Sequence, residues 1–194
     1  VGWPRWLLQS SGVHGVEPWI IAPDVVPRLA YDEFGYPAAT ADVDEAMTLA
    51  ADKLPYYAGS GPATFENVTS YLHGITALTV DLAAGHAPLT ANDFTFRTGT
   101  SDAPDTWALG PAPTSITVRP GAGVAGMDRV EIVWPKGAVK NTWLEVVVKG
   151  NDAAGGFNTN TGLDASTVFY FGSLVGDTGN ESAALPFMTD TTDE

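Results

Sequence analysis

The side chains able to do chemistry in this chain are its carboxylates, three histidines and one serine in a glycine-rich setting. Ser60 stands in Ala58-Gly59-Ser60-Gly61-Pro62, which lacks the outer glycine spacing of a nucleophile elbow and reads as an ordinary turn. His14, His73 and His86 are far apart, and none belongs to a His-Glu-x-x-His or His-x-His pair. Scattered histidines of this kind are expected on the surface or in the core rather than on a metal or beside a nucleophile. A glycosidase needs only two carboxyl groups about 5 to 9.5 Å apart. Most Asp residues here, however, sit in loops beside Gly, Asn and Thr, the setting of turns and calcium sites. No catalytic residues are therefore expected, and the chain reads as a non-enzyme.

Binding chemistry rests on aromatic faces. Trp107, Trp134, Trp143, Tyr56 and Tyr57 are the aromatic candidates for stacking on a sugar ring, because an apolar ring face stacks on an aromatic one. Trp134 belongs to an inward-facing set and is expected in the core. Trp107, in the loop SDAPDTWALGPAP, and Trp143 remain the candidate ligand-binding pair. For Trp143 the expectation is cover by a second layer, the other reading being an exposed contact residue.

The stretch that must position these residues is Asp128 to Gly150, DRVEIVWPKGAVKNTWLEVVVKG. Val130, Ile132 and Trp134 alternate with Arg129 and Glu131, and Leu144, Val146 and Val148 alternate with Trp143, Glu145, Val147 and Lys149. Around the punctuation Pro135-Lys136-Gly137, this predicts two adjacent antiparallel strands. Further strands are expected at 63–70, 74–81, 93–97, 115–119 and 168–171, and one from Arg28 to Tyr36. Glycine and proline, 21 and 14 in number, divide these short runs. The fold class is thus all-β, an antiparallel two-sheet sandwich of jelly-roll or Ig/cohesin-like type. One short helix is predicted in residues 39–53, with Asp42 as N-cap, Glu45 three residues on, and Ala46, Met47, Leu49 and Ala50 at helical spacing.

A chain of 194 residues buries about 70 % of its unfolded surface, enough for one sandwich-sized domain. That domain is assigned to 28–175, between an extended apolar segment at 1–27 and a tail at 176–194. Nine Lys and Arg against 23 Asp and Glu give a formal charge of −14. Such a surface repels nucleic-acid phosphates and anionic lipid and favours cations such as Ca²⁺. There is no cysteine, and no apolar run approaches the roughly 20 residues of a membrane span. The chain opens at Val1 without a signal-peptide pattern, which reads as processing or excerption. In 1–27, Trp3, Trp6, Trp19, Ile20 and Ile21 stand among Pro and Gly, and such apolar residues need a cover, their own domain or a neighbouring molecule. Asn67-Val68-Thr69 and Asn180-Glu181-Ser182 match the glycosylation sequon.

The end of the chain runs VFYFGSLVGDTGN and then TDTTDE. Together with ATFENVTSYLHGITALTVDLA, LTANDFTFRTG, DTWALGPAPTSITVRPGAGVAGMDRVEIVW and NTWLEVVVKG, it resembles the β-sandwich module that precedes a dockerin-like type I calcium repeat in large secreted bacterial proteins. The resemblance covers roughly residues 26 to 194. It implies an extracellular or cell-surface location, no enzymatic activity, and a Ca²⁺ loop with Asp177, Asn180, Asp190 and Asp193 as oxygen ligands. The loop departs from the regular pattern, since Glu181 to Thr189 intervene between Asn180 and Asp190 and no glycine follows at the sixth position. No second repeat stands in the sequence, so cohesin docking is not expected. The functional expectation is a non-catalytic extracellular module for surface attachment or self-assembly, a homo-oligomer or a partner of other extracellular proteins, in a filament or layer joined through terminal segments. The alternative is a carbohydrate-binding accessory module of a polysaccharide-degrading system.

Overall fold

The structure, a computed structural model, describes residues 24–32, 47–83, 86–153 and 160–176. Alternating β-branched and aromatic residues build two five-stranded sheets. The strands are β1 (Val25–Asp32), β2 (Met47–Leu49), β3 (Val68–Thr69), β4 (Ala77–Leu82), β5 (Phe94–Gly99), β6 (Ala108–Leu109), β7 (Ser115–Arg119), β8 (Asp128–Val133), β9 (Thr142–Val148) and β10 (Thr167–Ser173). One sheet runs β2-β1-β4-β8-β7, the other β3-β10-β9-β5-β6. All pairings are antiparallel except the short β3–β10 contact. The two-sheet sandwich is the fold expected from the sequence.

Register explains the core. In the first sheet, Leu29, Leu78, Ile132 and Ile116 lie in one cross-strand row, and Pro27, Val80, Val130 and Val118 in the next. In the second sheet the corresponding rows are Phe94–Val148–Thr167 and Phe96–Val146–Phe169. These apolar inner faces meet in one buried cluster that also holds Trp134, Val139, Leu144 and Phe171. The ring of Trp134 meets Phe96 edge-on at 5.1 Å, and its Nε1–H donates to the Pro111 carbonyl at 2.9 Å. Each large apolar side chain so enclosed contributes about 1.5 to 3 kcal/mol relative to exposure. Among the described residues, Pro27 sits where β1 has a paired neighbour on one side only, because β2 pairs β1 from Ala30 onward.

Four expectations are corrected. The strands of 128–150 are not neighbours: β8 pairs with β4 and β7, whereas β9 pairs with β10 and β5 in the opposite sheet. Trp134 donates its backbone N–H to Thr76, and Val139, wholly buried, bridges Ile75, so residues 134–141 carry the chain across the core instead of turning it back. The helix expected in residues 39–53 is not found in its described part, 47–53; residues 39–46, with Asp42 and Glu45, lie outside the described residues. Met47–Leu49 is an edge strand on Ala30–Asp32, and the described helical segments are single 3-10 turns. Backbone pairing with β1 outweighs a two-turn helical pattern, whose nucleation is costly. Of the run 63–70, only Val68 and Thr69 are strand, after a 3-10 turn at Phe65–Asn67. Residue Val25 already belongs to β1, so the sandwich begins inside the segment read as an extension.

Candidate functional site

The same alternation that builds the core places three acidic side chains, Asp81, Glu131 and Glu145, in buried positions, a 3-10 turn buries Asp93, and each carboxylate accepts from nearby donors. Asp81 faces Arg129 across the β4–β8 ladder, and the guanidinium grips it with Nε–Oδ1 at 2.8 Å and Nη2–Oδ2 at 3.0 Å. The Val124 N–H donates to the same carboxylate at 2.9 Å, so the β7–β8 loop folds over it. Arg119 holds Glu131 at 3.1 Å from the edge strand. On the second sheet Arg97, Glu145 and Tyr170 form one cross-strand row, with Glu145 accepting from Arg97 Nη1 at 3.1 Å and from the Tyr170 hydroxyl at 3.0 Å. Asp93 accepts from Thr90 N–H and from Asn160 Nδ2. Carboxylates bound in this way anchor strands and loops. Burial and the Glu145 charge push the Tyr170 phenol well above its ordinary value.

The outer face of the second sheet carries a separate aromatic cluster, Tyr56, Trp107, Trp143 and Tyr170. Tyr56 packs edge-on to Trp143 at 6.1 Å, and Trp107 packs edge-on to Tyr170 at 6.0 Å. Two glycines clear the floor for it. Gly99 and Gly172 flank Trp143 in one cross-strand row, and a Cβ on Gly99 would lie 2.3 Å from the Trp107 ring. Loops close over the top: Tyr56 exchanges backbone hydrogen bonds with Tyr170, and Trp107 Nε1–H reaches Ser101 O and Oγ, each at 3.1 Å. Trp107 and Trp143 are only 7 % and 4 % exposed, so neither offers a free ring face. Cover by a second layer is therefore the arrangement found for Trp143. Glu145 and Tyr170, which complete this layer, carry no motif of their own. Their spacing becomes informative only with the strand register.

The remaining candidates are not brought together. The Ser60 hydroxyl donates to the Tyr57 carbonyl at 2.6 Å in an exposed turn. His73 stacks edge-on to Tyr71. His86 Nδ1–H donates to the Ala87 carbonyl at 2.8 Å, while Nε2 lies 3.2 Å from Asp128 Oδ2 without hydrogen-bond geometry. Asn67, the first sequon residue, is buried, donating to Leu54 O and accepting from Thr64 N–H. Among the described residues no group of three or more His, Asp or Glu converges on a metal-sized site. The ligands Asp177, Asn180, Asp190 and Asp193, and the assembly residues Trp3, Trp6, Trp19, Ile20 and Ile21, lie outside the described residues. Among the described residues, no helix is long and apolar enough to cross a membrane.

Among the described residues, the β7 edge of the first sheet is left open. β7 pairs with β8 along its whole length and with no other described strand, and all five of its residues are partly exposed. No protein-family model, curated protein or solved structure matches the chain.

Proposed function

We propose that this chain is a non-catalytic extracellular β-sandwich module that serves surface attachment or self-assembly, as a subunit of a filament or layer joined through terminal segments. The observation that carries the reading is the open β7 edge, where Ile116 and Val118 of the core rows remain partly uncovered. A strand edge that continues an apolar layer is a template for another chain. Commitment of Asp81, Asp93, Glu131 and Glu145 to arginine, tyrosine, asparagine and backbone donors supports a structural use of the acidic residues. Burial of Trp107 and Trp143 weighs against the polysaccharide reading. Placement beside a dockerin-like calcium repeat, with Ca²⁺ at Asp177, Asn180, Asp190 and Asp193, belongs to the same proposal. Light scattering on the full chain over a concentration series tests it. The reading requires mass to grow beyond the 20.3 kDa of one chain; a strictly monomeric mass at all concentrations removes self-assembly.

A further inference from the structure

We propose that β7 is the acceptor edge for residues 19–22 of a second copy, which add to it as a strand. This rests on the assembly reading and names its contact. The acceptor is defined by a gradient of burial along two rows. Leu29, Leu78 and Ile132 are fully buried, and so are Val80 and Val130, yet Ile116 and Val118 at the ends of the same rows are only partly covered. One more strand with apolar residues on its inward face completes both rows and satisfies the backbone groups along the outer side of β7.

The donor follows from the sequence beside β1. Trp19-Ile20-Ile21-Ala22 is uncharged, holds two β-branched residues and is bracketed by Pro18 and Pro23. In an extended chain Trp19 and Ile21 share one face, the pair needed over Ile116 and Val118. β7 is bracketed in the same way, by Pro113 and Pro120, so prolines bound both the acceptor and the donor sequence.

Reach makes the contact intermolecular. The order β1-β4-β8-β7 puts the position beyond β7 four strand spacings from β1, or about 19 Å at about 4.8 Å each. The three steps from Val25 back to Ala22 span at most about 11 Å. Ala22 therefore cannot reach that position, and residues 19–22 cannot pair with β7 of their own chain as a complete four-residue strand. Folding back onto their own β1 meets a different obstacle. Pro23 and Asp24 would form the two-residue turn, and tight hairpins need a positive φ at the first turn residue, whereas proline holds φ near −65°.

The chain has no cysteine, so engineered thiols report cleanly. Ile20→Cys in one full-length preparation and Thr117→Cys in another place thiols on the outward faces of donor and acceptor. Mixed and treated with a short bismaleimide, they should give a covalent one-to-one heterodimer, and excess parent chain should suppress it. Val118→Lys in the Thr117→Cys chain should abolish the product, and circular dichroism checks that this variant is folded. Oligomers in light scattering without a heterodimer would overturn the β7 contact and leave assembly standing, whereas monomers would remove both. Efficient cross-linking within single chains carrying Ile20→Cys and Arg28→Cys would also overturn the proposal, because it places the segment on its own β1.

Discussion

Gly99 lies so close beneath Trp107 that a methyl group added to it would sit 2.3 Å from ring atoms Cγ and Cδ1. Its backbone is not in the left-handed region, so glycine is required here for space alone. Trp107 cannot retreat freely, because its Nε1–H is held at Ser101 and its ring packs on Tyr170. Gly99→Ala is expected to cost about 1 to 3 kcal/mol by overpacking, measured by urea unfolding. A variant as stable as the parent would mean that the 101–107 loop yields without loss.

Truncating either outer indole separates structure from binding. Trp143→Ala and Trp107→Ala each empty a buried position, and each should lose about 3 to 5 kcal/mol of stability. The near-ultraviolet circular dichroism of the aromatic layer should weaken with it. If these rings instead serve sugar binding, the variants unfold like the parent but lose retention on an insoluble polysaccharide.

The three arginine pairs differ in depth, and so should their worth. Asp81 is fully buried and doubly bound to Arg129, while Arg97 beside Glu145 keeps 35 % of its side chain exposed. Asp81→Ala removes a fully buried carboxylate that accepts from Arg129 and from the Val124 N–H, and should cost about 3 to 5 kcal/mol. Arg97→Ala should cost less, since water reaches the position and Tyr170 still donates to Glu145. Chemical denaturation of both variants at one pH checks the order; equal losses would contradict it.

Alkaline pH tests the hydrogen bond between Tyr170 and Glu145. Desolvation, and then the Glu145 charge, raise the phenol above its ordinary value of 10.0, so the folded state holds this proton more tightly than the unfolded chain. The stabilisation is complete below about pH 10 and is lost as pH rises toward the folded value. Unfolding free energy should therefore fall above about pH 10 in the parent and fall less steeply in Tyr170→Phe. Tyr31, also raised by burial, leaves a residual slope. Identical slopes in the two proteins would remove Tyr170 from the alkaline transition.

Period-two alternation made the inward residues of β8 and β9 legible, because each side chain's face depends only on its neighbours in sequence. Which strands pair was not legible. Pro135-Lys136-Gly137 has the composition of a reversal, but buried Val139 and its bridge to Ile75 turn the connection into a crossing. The helical pattern read in 39–53 failed in a similar way over its described part, since Met47 and Leu49 also alternate as in a strand and tertiary pairing with β1 decides. Register is also what hides the outer layer. Gly99, Trp143 and Gly172 are far apart in sequence and meet only through β5, β9 and β10. Asp81, Glu131 and Glu145 look like surface acids until their arginines are aligned across the ladders.

Calcium gives the last test. Among the described residues, the acidic groups do not gather into a metal site, and the ligands proposed for the ion are Asp177, Asn180, Asp190 and Asp193. A ligand bound only by the folded state raises stability by an amount that grows with its free concentration. The full chain should melt higher in millimolar Ca²⁺ than in chelator, and Asp177→Ala should erase the difference without lowering the chelator value. Because the sandwich holds its own buried carboxylates with arginines, chelation should not unfold it. Equal melting temperatures with and without Ca²⁺ would remove the ion from the account, and a shift that survives Asp177→Ala would move it to other residues.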